Sequence, residues 1–436
     1  MRSRPLVTRA VLTASVALIA ATAAHATPVG DIFYIALENH NWTQPGTYTA
    51  TQQIQGNPAA PYIDSLVTPG NANAAMVSYA SNYTNVPIQV AGSPSGAGAV
   101  HPSEPNYVWQ EAGLTGARND KDPYGAGITN NPALLPATNP TNNIINARNF
   151  SNQLQQSGLT WKSYQEGTDL ATVGGQLTNT VLPTSQYTVP LSSFSGTSST
   201  YTNPYNGSNQ YNYAAKHNPQ LFFTATNGGN DPTTSNPFSH NYAPLEQLAT
   251  DLANNTVAKY SWITPDQFND MHNSLSGGFT YHGTHYTGDA ANIAQGDNFL
   301  SILIPAIEAS QAFQNNGAIV IWNDETEGEG ASTAGFTSTE IVISPLAKGN
   351  AYTNTINYTH SSDLLTLEGF TGEPCLADAC NATPLTDLFV PGTEFDVPEP
   401  ASLALLTVGL LGTGLARWRG LRRSGGLSRA ADSSRA

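Results

Sequence analysis

The chain has 436 residues, enough for one large or two medium domains, and its 31 acidic residues outnumber its 16 basic ones, giving a formal net charge of −15. Nine basic residues lie in the two terminal segments, so residues 27–397 keep seven basic against 29 acidic residues, a net charge near −22. Such a surface repels nucleic acids and anionic lipids, so no nucleic-acid partner is expected. An anionic ligand would therefore have to be held by metal ions or histidines.

The first 26 residues are typical of a secretory signal peptide. Three arginines precede an apolar stretch over residues 10–24, and the small residues Ala24 and Ala26 match a cleavage site before Thr27. We therefore expect the protein to be exported.

The mature chain opens with the sequence DIFYIALENHNW. Its apolar run Ile32–Leu37 predicts a fully buried strand, and Glu38, Asn39 and His40 follow directly. Ligands bind at the carboxyl ends of strands in open α/β sheets, so Glu38 and Asn39 are candidate site residues. An ordinary surface turn is the alternative that this stretch alone leaves open.

Further apolar runs and helical patterns alternate along the chain. Strands are predicted at 260–264, 318–322 and 341–344, and helices at 144–156, 244–254 and 297–310. This alternation predicts one α/β domain over residues 27–382, a three-layer α/β/α sandwich with a mostly parallel central sheet.

Two polar segments interrupt this pattern, and a third follows it. Residues 172–212 carry no charged side chain and predict a long surface excursion with little helix, which either covers the site or binds sugar. The glycine-rich residues 274–288 predict a flexible loop. A linker is expected at residues 383–397.

Three of the four predicted strands end in carboxylates. Glu38 follows the first, Asp266 the second, and Asp324 and Glu325 the third. Strand ends of a parallel sheet share one edge, so these acids should converge, and their mutual repulsion calls for a divalent cation. Oxygen donors favour calcium, magnesium or manganese, whereas a histidine donor also admits zinc or iron.

Ser103 lies in the sequence HPSEPNY, just before a predicted helix that ends near Gly113. A serine followed by a proline in the first turn is typical of a helix N-cap. The same position suits a nucleophile, because a helix N-terminus stabilises phosphate and a serine alkoxide. The residues alone leave both interpretations open.

Cys375 and Cys380 are the only cysteines. In an exported protein these two cysteines are expected to form a disulfide that closes a small loop. A metal site is the weaker alternative, since no second Cys or His pair is nearby in sequence.

The C-terminus carries Pro398-Glu399-Pro400, an apolar stretch over residues 401–416 and six arginines. A helix of this stretch would be ~24 Å long, short for a ~30 Å hydrocarbon core. Motif, span and basic tail over residues 398–436 resemble the PEP-CTERM sorting signal of Gram-negative bacteria. The resemblance implies an exosortase-type processing enzyme as a partner, transient membrane anchoring through the C-terminal span, and association with exopolysaccharide. A plain transmembrane helix as anchor is the alternative.

Most of residues 31–374 resembles the bacterial phosphoesterase family, which contains acid phosphatases and phospholipase C-type enzymes and belongs to the alkaline phosphatase superfamily. The resemblance rests on segments that occur in the expected order: IALENHNW, HPSEPNYVW, LTWKSYQE, AAKHNPQLFF, TPDQFNDMH, AIVIWNDETEG, VISPLAKG and YTHSSDLLTLE. It implies an alkaline phosphatase-like fold.

The resemblance also implies roles for individual residues. Ser103 would be the nucleophile and Asn106 would help to hold the phosphoryl oxygens. The ligands of a first metal would be Glu38, Asn39, Asp324 and Glu325.

A second metal would use Asp266, Asp270 and His360, with His272 as a further ligand or as the group that activates water. The spacing around Asp270 departs from the family pattern, so one or two ions per chain are expected. His101 and His217 would contact the substrate phosphate.

These observations predict an exported metal-dependent phosphoesterase, most simply an acid phosphatase-type monoesterase. Its predicted location is the periplasm, outer surface or extracellular matrix of a Gram-negative bacterium. A phospholipase C-type phosphodiesterase is the alternative within the enzyme class. A non-catalytic matrix protein that binds exopolysaccharide is the alternative outside it.

Overall fold

A computed structural model describes residues 26–50, 52–87, 98–115, 119–124, 143–329 and 332–396. These residues form fourteen strands: β1 (Ile32–Leu37), β2 (Val77–Ala80), β3 (Trp161–Gln165), β4 (Leu170–Val173), β5 (Gln176–Val181), β6 (Phe194–Thr197), β7 (Gln210–Tyr213), β8 (Tyr242–Pro244), β9 (Tyr260–Thr264), β10 (Phe279–Tyr281), β11 (Thr284–Tyr286), β12 (Ala318–Asn323), β13 (Glu340–Ile343) and β14 (Tyr352–Asn354). They also form eight α-helices: α1 (Pro61–Leu66), α2 (Ser103–Ala112), α3 (Phe150–Gln156), α4 (Thr224–Asn227), α5 (Glu246–Asn254), α6 (Asp289–Glu308), α7 (Gln311–Gln314) and α8 (His360–Thr371).

The central sheet has eight strands in the order β14-β2-β13-β12-β1-β9-β3-β8. Every pairing is parallel except the two that β13 makes, with β12 and β2. The predicted α/β fold with a mostly parallel sheet is therefore confirmed. The runs predicted as strands all lie in this sheet.

β1 lies at the centre of the sheet and explains the layered architecture. All six of its residues are buried, as expected of a strand covered on both faces. Phe33, Ile35 and Leu37 pack into a core with α1, α5 and α6, whereas Tyr34 and Ala36 face a core built with α2, α3 and α8. Because side chains alternate along a strand, one apolar run supplies both cores.

Two predicted helices begin elsewhere. The helix predicted at 144–156 starts at Phe150, because Ile145 is extended and bridges Phe223 instead. The helix predicted at 297–310 starts at Asp289, eight residues earlier. Its first turns consist of small and amide residues that nevertheless pack closely, with Gly296 against Met271. Apolar periodicity alone misses such a segment.

The polar segments are more ordered than predicted. The excursion at 172–212 contains the hairpins β4–β5 and β6–β7, and the loop at 274–288 contains the hairpin β10–β11. The predicted linker at 383–397 packs against the domain as far as Asp396, because Leu385, Leu388 and Phe389 are buried in the core. The exact domain boundaries remain predictions.

Cys375 and Cys380 form a disulfide. Within the described residues no helix is long and apolar enough to cross a membrane. Residues 1–25 of the predicted signal peptide and the predicted span at 401–416 lie outside the described residues.

Candidate active site

The candidate site lies at the carboxyl edge of the three neighbouring parallel strands β12, β1 and β9. Glu38 and Asp324 directly follow β1 and β12, and Asp270 follows β9 after a short turn. The backbone ties these ends together, because Glu38 N donates to Asp270 O at 2.7 Å and Asp324 N donates to Leu37 O at 3.2 Å. Glu38 and Asp324 therefore converge as predicted from their strand ends, whereas the acid that joins them from β9 is Asp270 rather than Asp266.

Ser103 is the first residue of α2 and points at these acids. Its side chain is 2% exposed. Its hydroxyl donates to Glu38 Oε2 at 2.8 Å and lies 3.3 Å from Asn39 Oδ1 and 3.5 Å from Glu325 Oε1. The helix N-terminus thus brings the predicted nucleophile to the predicted ligands.

The same face of α2 supplies two further groups. Asn106 donates to Glu325 Oε2 at 3.1 Å, and Tyr107 donates to Glu38 Oε1 at 2.6 Å. Residues three and four positions after Ser103 share its helix face, so this spacing could have identified Tyr107 from the sequence. We did not predict a role for Tyr107, although it also stacks on His217 with ring centroids 4.9 Å apart.

Glu38, His217 and Asp270 form a buried group whose ligand atoms all lie within 4.8 Å of one another. His217 Nε2 is 3.2 Å from Glu38 Oε1, and His217 Nδ1 is 3.6 Å from Asp270 Oδ2. Neither ring nitrogen makes a hydrogen bond, and neither does Asp270 Oδ2. Glu38 accepts from Ser103 and Tyr107, but Asp270 Oδ2 and the His217 ring lack hydrogen-bond partners, and this convergent donor set fits a metal ion.

The electrostatics of the group lead to the same interpretation. Burial raises the pKa of the Glu38 carboxyl. It also raises the pKa of the Asp270 and Asp324 carboxyls, well above the usual range of an aspartate. Burial also lowers the pKa of His217 well below its usual value, which keeps its imidazole neutral and able to bind a cation. A divalent ion would compensate the buried carboxylates. The imidazole adds zinc and iron to the oxygen-preferring ions.

The remaining predicted ligands of the first metal lie beside Ser103. Asn39 N donates to Asp324 Oδ1 at 3.2 Å, and Asn39 Nδ2 donates to Glu327 Oε1 at 2.9 Å. Asp324 Oδ2 is buried without a hydrogen-bond partner. Burial raises the pKa of Glu325 to about 7.

His101 lies at the exposed rim of the site. Its Nδ1 is 2.8 Å from Glu325 Oε2 and its Nε2 is 3.3 Å from Glu329 Oε2. Hydrogen bonds to these two carboxylates raise the pKa of His101 to about 10. Both ring nitrogens of His101 therefore face carboxylates, two residues before Ser103 in the sequence, and its contact with a substrate phosphate stays a prediction.

Asp266 lies outside the Glu38–His217–Asp270 group. Its Oδ1 accepts hydrogen bonds from Phe268 N and Asn269 N, so it caps the turn after β9. Its own backbone N–H donates to Glu166 Oε2 at 2.9 Å. A metal-ligand role for Asp266 stays a prediction without support from this geometry.

His360 has protein partners at both ring nitrogens. Nε2 is 2.7 Å from Asp324 O and 3.1 Å from Asn106 Oδ1, and Nδ1 is 2.6 Å from Tyr83 OH. Burial lowers the pKa of His360 to about 3. The structure thus brings His360 to the site, where it contacts predicted site residues.

His272 lies at the outer side of the group. Its backbone N–H donates to Asp270 Oδ1 at 2.8 Å, and its ring centroid is 6.0 Å from that of His217. The side chain is partly exposed to solvent.

Comparison of the chain with known proteins identifies its family. The Phosphoesterase family matches residues 96–372, more than half of the chain. The chain belongs to the Phosphoesterase family. This phosphoesterase is a hydrolase of phosphoric ester bonds. A second match, the PEP-CTERM protein-sorting motif at residues 396–423, indicates export to the bacterial surface or exterior and processing by an exosortase.

One relative of this phosphoesterase is the phosphatidylinositol-3-phosphatase of Mycobacterium tuberculosis (strain ATCC 25618 / H37Rv). The two are 28% identical over 343 residues, which cover 77% of this chain and 78% of the relative.

Solved structures that resemble it include Ps i-CgsB and a 2-O GAG sulfatase. Ps i-CgsB has a TM-score of 0.43 at 11% identity, covering 84% of this chain and 77% of its own. The sulfatase has a TM-score of 0.39 at 13% identity, covering 85% and 76% respectively.

The family match contains the candidate residues from His101 to His360. Glu38 and Asn39 precede the matched region, and hydrogen bonds to Ser103 connect them to it. The candidate site therefore joins the end of β1 to the matched region.

Proposed function

We propose that the protein is an exported, metal-dependent phosphomonoesterase in which Ser103 is the nucleophile. The observation that carries the proposal is the 2.8 Å hydrogen bond from the Ser103 hydroxyl to Glu38 Oε2, beside the convergent atoms of Glu38, His217 and Asp270. A buried serine at a helix N-terminus and facing a group of this composition fits phosphoryl transfer better than simple helix capping.

The first step is attack of Ser103 Oγ on phosphorus. A bond forms between Oγ and phosphorus, the bond from phosphorus to the ester oxygen breaks, and the leaving alcohol takes up a proton. Glu38 Oε2, which accepts the hydrogen bond of the hydroxyl, takes the proton during the attack, and the leaving alkoxide takes its proton from solvent. The N-terminus of α2 and the Asn106 amide orient the phosphoryl oxygens.

In the second step a water oxygen forms a bond to phosphorus, the bond from phosphorus to Ser103 Oγ breaks, inorganic phosphate leaves, and Oγ takes its proton back from Glu38. His272 is partly exposed, its ring centroid lies 6.0 Å from that of His217, and it is suited to take a proton from that water. His101 carries a positive charge at the rim and would contact the incoming phosphate.

A calcium, magnesium, manganese or zinc ion fits the donors Glu38, His217 and Asp270, with Asn39, Asp324 and Glu325 close by. When bound, the ion would supply positive charge that lowers the pKa of the serine hydroxyl and screens the carboxylates from phosphate. His360 is better suited to orienting Asn106 and the Asp324 backbone than to binding a second ion, because its ring nitrogens are engaged.

The name of the mycobacterial relative, a phosphatase, supports a monoester rather than a diester as substrate. The sorting motif supports a final location in the periplasm, on the outer surface or in the matrix, after transient anchoring through the C-terminal span. A phosphorylated sugar, lipid or alcohol in that location would be the substrate class.

Replacing Ser103 with alanine tests the proposal. We expect Ser103→Ala to lower kcat/KM for a generic phosphomonoester by at least about 1,000-fold, because the covalent step is lost. Circular dichroism and the metal content should be unchanged. Ser151→Ala is the matched control, since Ser151 is also buried in the first turn of a helix but lies on α3. Near-normal turnover by Ser103→Ala would refute the assignment, and a metal-free, inactive wild type would favour the matrix-protein alternative.

A further inference from the structure

The ammonium group of Lys216 has no role in the chemistry proposed above, although it lies beside the site. Lys216 immediately precedes His217, and its side chain is only 16% exposed. Its Nζ lies 2.8 Å from Asp120 Oδ1 and 2.7 Å from Asp120 Oδ2. An ammonium has three N–H donors, so this fork leaves one for another acceptor.

The Lys216–Asp120 pair is anchored at the N-terminus of α2. Asp120 Oδ1 also accepts a hydrogen bond from Glu104 N at 3.4 Å, and Glu104 directly follows Ser103. The pair therefore connects the turn that carries His217 to the helix end that carries the nucleophile. A phosphate bound at Ser103 would lie between these two elements.

The charge of Lys216 is retained despite its burial. Its two short contacts to the Asp120 carboxylate compensate the ammonium directly. This ammonium is thus a fixed positive charge within electrostatic range of the candidate ligands.

Positive charge of this kind is scarce in the mature protein. Of the four other lysines in the described parts of the chain, Lys121 adjoins Asp120 and three are engaged elsewhere: Lys162 with Asp251, Lys348 with Asp387, and Lys259 with the carbonyl groups of Val29 and Gly30. A single additional charge at the site therefore has a large influence on which anion binds.

We propose that Lys216 donates its remaining N–H to a non-bridging phosphate oxygen and thereby selects dianionic phosphomonoesters over monoanionic phosphodiesters. Asp120 is the positioning residue that holds the ammonium in place. A monoester carries a second negative charge above a pKa of about 6, whereas a diester has only one negative charge. This inference rests on the proposed phosphoesterase function and assigns the cause of its substrate selectivity.

The test compares p-nitrophenyl phosphate with bis-p-nitrophenyl phosphate at pH 7.5. We expect Lys216→Met to lower kcat/KM for the monoester by at least about 30-fold and for the diester by less than about threefold, since the dianion loses a larger electrostatic attraction than the monoanion does. Lys216→Arg should recover part of the loss. Lys162→Met is the matched control, because Lys162 also pairs with an aspartate but lies near the amino end of β3, at the opposite end of the strand from the candidate site. Its kcat/KM for both esters should be unchanged.

The positioning role of Asp120 has a separate readout. Asp120→Asn should lower the monoester-to-diester ratio of kcat/KM by less than Lys216→Met does, and should change that ratio no further when Lys216→Met is already present. Such non-additivity indicates that Asp120 acts through Lys216. An additive effect would overturn the role assigned to Asp120.

The outcomes separate the two proposals. If wild type turns over the monoester, Ser103→Ala does not, and Lys216→Met lowers both rates equally, the selectivity inference fails while the proposed function stands. A wild type that prefers the diester also overturns the inference and favours the phospholipase C-type alternative. A wild type that hydrolyses neither ester rejects both proposals.

Discussion

Two clusters of buried acids lie side by side at the carboxyl edge of the sheet, and they are compensated differently. In the amide cluster (Glu166, Asn203, Asp266 and Asn269), both oxygens of Glu166 accept hydrogen bonds: Oε1 from Asn203 Nδ2 and Asn269 Nδ2, and Oε2 from Asp266 N and Asn269 Nδ2. Only Asp266 Oδ2 lacks a partner there.

In the open cluster (Glu38, His217 and Asp270), the unpartnered atoms converge. Both ring nitrogens of His217 and Asp270 Oδ2 lack hydrogen bonds, and all three residues are fully buried. Amide donors satisfy a buried carboxylate within the protein, whereas convergent acceptors need a cation from outside. The difference shows that donor environment, rather than the presence of acids at strand ends, distinguishes a structural cluster from a candidate metal site.

The largest expected loss of activity is that of Asp270→Asn in the open cluster, compared with Asp266→Asn in the amide cluster. Asp270→Asn should lower metal occupancy and kcat/KM by more than about 100-fold, because removing a direct ligand should cost at least as much as removing a partner of a ligand. The amide keeps the oxygen that accepts from His272 N. Metal analysis and a phosphomonoester assay on the same preparation measure both effects.

Asp266→Asn is the matched control. It changes the same residue type, equally buried, four positions earlier, and its oxygen can still accept from Phe268 N and Asn269 N. Metal occupancy should be unchanged and activity should stay within about fivefold of wild type. Loss of the metal from Asp266→Asn would show instead that Asp266 is a ligand, as the family resemblance suggested.

Metal removal should change the stability of the two variants differently. A ligand present at 100 times its dissociation constant stabilises the folded state by about 2.7 kcal/mol. We therefore expect a chelator to lower the free energy of unfolding by about 2–3 kcal/mol in wild type and in Asp266→Asn, but to leave Asp270→Asn unchanged. Urea unfolding with and without chelator measures this difference.

Re-addition of calcium, magnesium, manganese or zinc one at a time should restore both stability and activity and identify the ion. A wild type whose unfolding midpoint and activity are indifferent to chelation would argue against the open cluster as a metal site.

The central strands of the sheet could be predicted because the sequence patterns that indicate them are local. The apolar runs of β1, β9 and β12 are short and end in polar residues, which is typical of buried parallel strands. Strand direction then implies that Glu38 and Asp324 share an edge. Ser103 could be placed for a similar reason, since its helix begins where the sequence indicates.

The choice between Asp266 and Asp270 could not be predicted in this way. The turn after β9 decides it: Asp266 caps the turn and Met271 has a positive φ of 81°, which turns the chain so that Asp270 faces Glu38. Contacts such as that between Lys216 and Asp120 join segments 96 residues apart, and local patterns do not contain them. The position of Tyr107 could have been predicted, because a residue four positions after Ser103 lies on the same face of a helix.

The smallest expected effect concerns Glu111, a buried acid that resembles those of the amide cluster. Its oxygens accept from Asn149 Nδ2 at 2.8 Å, Ser151 N at 2.9 Å and Gln220 Nε2 at 3.1 Å. Burial nevertheless raises the pKa of Glu111 from 4.5 to about 7. Because the folded state holds this proton more tightly than the unfolded state, the stabilising effect is complete below about pH 4.5 and is lost as the pH rises through about 7.

Glu111→Gln removes this titration. One pKa unit corresponds to about 1.4 kcal/mol, so the decline in the free energy of unfolding between pH 4.5 and 7.5 should be smaller in the variant by roughly 1–3 kcal/mol. Urea unfolding at both pH values measures the decline in each protein, which removes any constant cost of the substitution. Metal content should be unchanged, because Glu111 is outside the open cluster. An equal decline in both proteins would mean that hydrogen bonds from the three donors fully offset burial, and the amide cluster would then be expected to remain ionised as well.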